Sequence, residues 1–238
     1  MKTIFGLTLK AALRDPYLLF WSILLPVGGM VGLGLFIGAP SYPTRILTGM
    51  MAASILFYTL VTSAFSVLSQ RRRGVYNLLH VTAMPLWQYV TTVSGAWTLV
   101  SGICAAMLLL VGSLVLKVAV SFSALFMLVP ILFFAAIGYV LVSFTVASLS
   151  KTEGHVSMIC NIVMLPLMFL SDAFYSLDAA PGWLLGISRA NPFQWFVSGL
   201  REALSGDTLN WLIHAGLLLA VLIAALLLAV RTFRYQDV

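Results

Sequence analysis

Three consecutive arginines, Arg71, Arg72 and Arg73, interrupt an otherwise apolar chain and form its one dense cluster of charge. In hydrocarbon each would cost about 3 kcal/mol on insertion scales, so residues 70–85 must lie on one side of a membrane and mark that side. Past the arginines, Val75, Leu78, Leu79 and Thr82 recur at i, i+3, i+4 and i+7, with Arg73, Asn77 and His80 opposite them. This spacing predicts a short amphipathic helix ended by Pro85. Such a helix can lie on lipid headgroups or dock into another protein.

The apolar runs on either side leave no room for a soluble fold. Hydrophobic residues make up 61% of the 238 positions and charged residues 8%, with a mean hydropathy of +1.06, which is the composition of an integral membrane protein. The net charge of +6 does not indicate nucleic acid, because the basic residues sit between apolar runs and act as topology signals. Cys104 and Cys160 lie inside apolar runs without metal-ligand spacing and are expected to be buried thiols. At the N-terminus, Lys10, Arg14 and Asp15 break any signal-peptide core and no small-residue cleavage site follows, so no cleavage is expected.

In chain order, residues 2–14 predict a basic amphipathic helix, with Phe5, Leu9, Ala12 and Leu13 on one face and Lys2, Gly6, Lys10 and Arg14 near the other. Asp15 and Pro16 then read as an N-cap followed by proline at the first helical position. Six spans are expected, at about 17–37, 46–69, 88–116, 122–150, 156–170 and 209–230. The first contains Pro26 and four glycines, and the second carries the hydroxyls Thr48, Ser54, Thr59, Thr62, Ser63, Ser66 and Ser69 beside Phe57, Tyr58 and Phe65. Those hydroxyls either satisfy backbone carbonyls and neighbouring helices or face a translocation path. A tight turn at 117–121 joins the third and fourth spans, and the fifth, with Asn161 and Pro166, is short for a full crossing.

Residues 171–207 mix Asp172, Asp178, Arg189, Arg201, Glu202 and Asp207 with Phe, Trp and Leu, which predicts re-entrant or interfacial helices. Within them, Asn191-Pro192 repeats the cap-then-proline signal, and Phe193, Phe196, Val197, Leu200 and Leu204 form a helical stripe that leaves Arg201 and Glu202 off it. Six spans divide the cations unevenly. Lys2, Lys10, Arg14, Arg71, Arg72, Arg73, Lys151, Arg231 and Arg234 fall on one side, and Arg45, Lys117, Arg189 and Arg201 on the other. The more basic side is cytoplasmic, which puts both termini and residues 70–87 inside and 171–207 outside.

Catalytic signatures are missing: the sequence holds no Gly-x-x-x-x-Gly-Lys-Ser/Thr phosphate loop and no His-Glu-x-x-His zinc motif, and His80, His155 and His214 are scattered. Glu153 and His155, at i and i+2, point to different faces and read as a solvated pair. No acid lies inside a clear span, so a proton-coupled carrier would have to recruit Asp172 or Asp178.

The basic N-terminal helix, Arg14-Asp15-Pro16, Leu25-Pro26, Arg71-Arg72-Arg73-Gly74 leading to Met84-Pro85, and Asn191-Pro192-Phe193 with Arg201 occur in an order that resembles the ABC-2 family of permease subunits. The resemblance covers nearly the whole chain, as a single transmembrane domain over 1–238. It implies an all-α polytopic protein of a bacterial cell membrane that works with two copies of a separate ABC ATP-binding subunit and a second or related permease. ATP and Mg would bind that partner, with no cofactor or metal on this chain. It also implies that Arg71, Arg72, Arg73, Tyr76, Asn77 and His80 form the ATPase-coupling surface. One departure is that members often carry acids in or just after the basic cluster. Here Val75, Tyr76 and Asn77 follow Gly74, so polar pairing falls to the arginines, Asn77 or His80.

Candidate substrate contacts are Phe57, Tyr58, Thr62, Phe65, Asn161 and Met168, on spans two and five, with ordinary helix packing as the alternative for each. Aromatic, methionine and hydroxyl residues without a charged cavity suit an apolar or amphipathic cargo such as a drug, antibiotic or antimicrobial peptide. Polysaccharide or lipid-linked glycan export, an ATP-independent carrier, and a scaffold or immunity protein are the competing readings.

Overall fold

The computed structural model describes residues 2–14, 20–37, 41–75, 86–177 and 180–232, and every regular element among them is helical. The N-terminal helix α1 (Lys2–Arg14) is followed, after a π-helical turn at Phe20–Leu24, by α2 (Leu25–Phe36). Next, α3 (Tyr42–Leu56) runs through a π-helical stretch, Phe57–Thr62, into α4 (Ser63–Arg72). Then come α5 (Leu86–Val115), α6 (Phe122–Leu149), α7 (Glu153–Phe169), α8 (Gly182–Arg189), α9 (Pro192–Ser205) and α10 (Thr208–Thr232).

Four of these rods are long and apolar enough to cross a bilayer among the described residues: Tyr42–Arg72, Gln88–Val115, Phe122–Leu149 and Thr208–Ala229. Two shorter apolar helices, Ser22–Phe36 and Glu153–Phe169, accompany them. Apolar side chains cover the outside as well as the core, with Leu114, Phe122, Phe126, Val129 and Leu209 all exposed. A surface of that kind is stable only against hydrocarbon. Asp15, Pro16 and Asp178 lie outside the described residues.

The first two spans depart from plain α-helix for local reasons. Pro26 has no N–H to give the carbonyl four residues back, that of Ser22, so the chain takes a wider turn just before it. The freed Ser22 carbonyl accepts instead from Ser54 Oγ on α3, which ties the two spans together. In the second span, Thr59 Oγ1 donates to the Ile55 carbonyl (2.6 Å) and Ser63 Oγ to the Thr59 carbonyl. Back-bonding of this kind competes with the backbone ladder, and here it brackets the π-helical stretch. Ser63 Oγ also reaches Ser143 Oγ on α6 at 2.6 Å. These hydroxyls are structural, as one of the two sequence readings had it.

The segment before the last helix forms as its stripe requires. Asn191 Oδ1 accepts from Phe193 N (2.9 Å), and its Nδ2 donates to the carbonyls of Leu167 (2.8 Å) and Leu170 (3.1 Å) at the end of α7. Phe193, Phe196, Val197 and Leu200 are fully buried. At 117–121, the site of the expected tight turn, a short connection without regular structure joins α5 to α6, with Lys117 in the left-handed region at φ 54° and Ser121 Oγ capping α6 by accepting from Ala124 N. The N-terminal helix packs along α5, with Ala12 buried and Leu13 exposed.

Candidate functional site

A half-open cavity of about 630 Å³ lies between α1, the π-helical stretch with α4, and α5. Phe57, Val61 and Phe65 form an apolar wall, Thr8 and Ala11 of α1 face them, Trp97 of α5 is also part of the lining, and among the described residues Arg73 supplies the cavity's one charged side chain. The volume is in the range of small-molecule sites. Wider winding at 57–62 shifts the phase of the following turn relative to a straight α-helix. Phe57, Thr62, Phe65 and Arg73 thereby share one wall.

Two lining groups are buried without a hydrogen-bond partner: Thr62 Oγ1 and Trp97 Nε1, each side chain belonging to a residue only 4% exposed. Buried polar atoms are normally paired, since an unmade bond costs about 1–3 kcal/mol, so two unpaired groups on residues that line one cavity mark it as a place where a ligand would supply the missing partners. Neighbouring polar groups are already used: Gln70 accepts from Tyr89 Oη and donates to Ser66 Oγ (3.2 Å).

The three arginines, adjacent in sequence, have different environments. Arg71 Nη1 donates to the carbonyls of Ala147 and Ser148 (3.2 Å each) and Nη2 to that of Ser150 (3.0 Å). One guanidinium thus closes the C-terminal end of α6, where the last carbonyls have no helical donor and the dipole favours a cation. Arg72 donates to the Lys151 carbonyl (3.2 Å) and pairs with Glu153 (3.5 Å) in an exposed bridge. The Arg73 guanidinium has no hydrogen bond or ion pair among the described residues, and the residue borders the cavity. Glu153 and His155 are both exposed, as expected of a solvated pair; Glu153 meets Arg72, and the His155 backbone N–H donates to Thr152 Oγ1.

Replacing Arg71 with alanine or lysine is expected to loosen the joint between α4 and the α6–α7 connection. Three charge-assisted bonds at a partly buried site are worth about 2 kcal/mol together after solvent competition. The midpoint of thermal unfolding in detergent should fall by several degrees for both substitutions, because lysine cannot fork to three carbonyls. Arg73→Ala should leave the midpoint within a degree.

Other predicted residues are scattered. Tyr58 is fully buried against Trp97, ring centroids 5.6 Å apart, on the core side of the stretch. Asn161 is exposed on α7 and Met168 is half-buried at its far end, away from the cavity. Tyr76, Asn77 and His80 lie outside the described residues. Sequence reasoning missed Thr8, Trp97 and the division of labour among the arginines. The only available signal for Trp97 was a lone Trp amid small residues on the third span.

On the opposite end sits a polar joint. Arg201 Nη1 pairs with Asp172 Oδ2 at 2.7 Å, Nη2 donates to the Asp172 carbonyl (2.8 Å), and Nε donates to Thr48 Oγ1 (3.3 Å). Gln194 holds the other carboxylate oxygen (2.8 Å). Nearby, His214 Nδ1 meets Glu202 Oε2 at 2.8 Å, and burial pushes the Glu202 carboxyl above its ordinary value, more than His214 pulls it down. Among the described residues no three His, Cys, Asp or Glu side chains gather into a metal site.

Residues 1–205 match the family model described as ABC-2 type transporter. The chain is 28% identical over 183 residues to the daunorubicin resistance ABC transporter permease protein DrrB1 of Streptomyces coeruleorubidus, a match covering 74% of this chain and 61% of that one. It is 35% identical over 57 residues to the inner membrane transport permease YadH of Escherichia coli K12, covering 24% of this chain and 22% of the relative. These matches span less than two thirds of either relative's length.

Proposed function

Since the chain belongs to the ABC-2 type transporter family, we propose that it is the permease subunit of an ATP-driven exporter for an apolar or amphipathic compound. Members of this family work with an ABC ATP-binding subunit, and this one lies in the cell membrane as a multi-pass protein. Two ATP-binding subunits would hold ATP and Mg and act on a pair of permeases, this chain with a second copy or a relative. If Ser22–Phe36 and Glu153–Phe169 serve as short spans beside the four long ones, the chain crosses six times, and the positive-inside rule would then put both termini and the arginines on the cytoplasmic side.

The observation that carries this reading is the continuity between the arginine stretch and the cavity. Arg71 and Arg72 fasten the end of the second span to the α6–α7 connection, and Arg73 borders a space that runs up to Phe57. A push on residues 70–85 by a closing ATPase would therefore reach three helices and the cavity wall at once. Differential binding of nucleotide to two states of the partner supplies the energy for such a change. On α7, Asn161, Ile162 and Leu165 are exposed and Met168 half-buried, a face on which a second permease would complete the pathway.

The test is transport of an amphipathic dye into inside-out vesicles holding this chain and its ATPase. Uptake should require both chains and Mg-ATP and should stop with a non-hydrolysable analogue. Uptake by this chain alone, driven by a proton or sodium gradient, would overturn the proposal.

A further inference from the structure

We propose that the cavity takes an amphiphile with hydrogen-bond acceptors on its apolar body and an anionic group at its end, held by Trp97, Thr62 and Arg73. This names a substrate class for the exporter reading and rests on it. Trp97 Nε1 can only donate, Arg73 can only donate, and Thr62 Oγ1 can do either. All three belong to residues that line the cavity, and none of these side-chain groups has a partner among the described residues. A body that offered only donors would leave Trp97 unpaired, and a cationic group would be set against Arg73. Among the described residues no carboxylate borders the cavity to welcome a cation. Phe57, Val61 and Phe65 fix the apolar part between the donors.

The anionic group has two possible sources, a lipid headgroup from the cytoplasmic leaflet or a free compound, and the chemistry read by Arg73 is the same for both. Arg73 is spared for this role because its two neighbours are spent on backbone carbonyls and Glu153.

The experiment is equilibrium dialysis of three matched probes against the full chain in phosphatidylcholine nanodiscs, with empty discs subtracted. The probes are 9-fluorenone-2-carboxylate, 2-(aminomethyl)-9-fluorenone and fluorene-2-carboxylate. The keto-carboxylate should bind about tenfold tighter than the ammonium ketone and several-fold tighter than the carboxylate without a carbonyl. Arg73→Gln should remove the first preference and Arg73→Lys should keep it, while Trp97→Phe should remove only the second. Exchanging a third of the phosphatidylcholine for phosphatidylglycerol should displace the probe if lipid is the source and leave it bound if a free compound is. Equal binding of ammonium and carboxylate, or a carboxylate preference that survives in Arg73→Gln, would overturn the inference. ATP-driven export that persists without these preferences would sink the inference and spare the exporter reading. The preferences without ATP-driven export would do the reverse.

Discussion

Arg201→Ala should be among the most destabilising single substitutions at the α7–α9 end of the molecule, lowering stability by about 3 kcal/mol. The side chain joins α9 to Asp172 after α7 and to Thr48 on α3. Burial lowers the guanidinium's pKa from its ordinary value, and the Asp172 charge opposes that drop. Removing the arginine leaves Asp172 partly buried with only Gln194 to hold it, and such an uncompensated charge typically costs about 3–5 kcal/mol. Both side chains retain 23% exposure, which puts the value at the lower end. For a chain of this size the unfolding midpoint should drop by roughly 6–10 °C. Replacing both members, Arg201→Met with Asp172→Leu, should recover most of the loss, since apolar packing costs no desolvation. A double variant no better than Arg201→Ala would mean that the bonds to Thr48 and the backbone carry the joint.

A methyl group on Gly49 should do comparable damage a few ångströms away. A Cβ there would lie 2.2 Å from the Ala173 carbonyl oxygen and 2.9 Å from its carbon. Backbone cannot swing aside as a side chain does, so α3 or residues 172–173 must move. Overpacking of this kind costs about 1–3 kcal/mol, and Gly49→Val should exceed it. Because Thr48 is the next residue and bonds Arg201, the effects of Gly49→Ala and Arg201→Ala should be less than additive. Gly112→Ala is the control: its Cβ would meet the methyls and Cγ of Leu47, a side chain that can shift where backbone cannot, and should cost less than Gly49→Ala.

The helices were legible because hydrocarbon imposes length and apolarity, and those are written residue by residue. The stripe from Phe193 to Leu200 and the Asn191 cap were equally plain, since period and cap chemistry are local. What was not legible depends on partners distant in sequence. Arg201 and Asp172 stand 29 positions apart with nothing between them to announce the pair. Arg71 binds backbone carbonyls, which every residue has, so no side chain signals its partners. The π-helical stretch arises from hydroxyls competing with the ladder, and the same hydroxyls elsewhere leave an α-helix intact. Composition singled out Phe57, Thr62 and Phe65, which line one cavity; Trp97 enters that cavity only through the packing of α5 on the helix that carries them.

Gentle extraction from the native membrane, followed by mass measurement of the intact assembly, tests the central claim most directly. The account predicts two ATP-binding subunits with two permease chains, and loss of those subunits when residues 71–73 are all changed to alanine while Arg73→Ala alone retains them. Recovery of this chain without an ATP-binding subunit, still transporting in vesicles free of ATP, would contradict it.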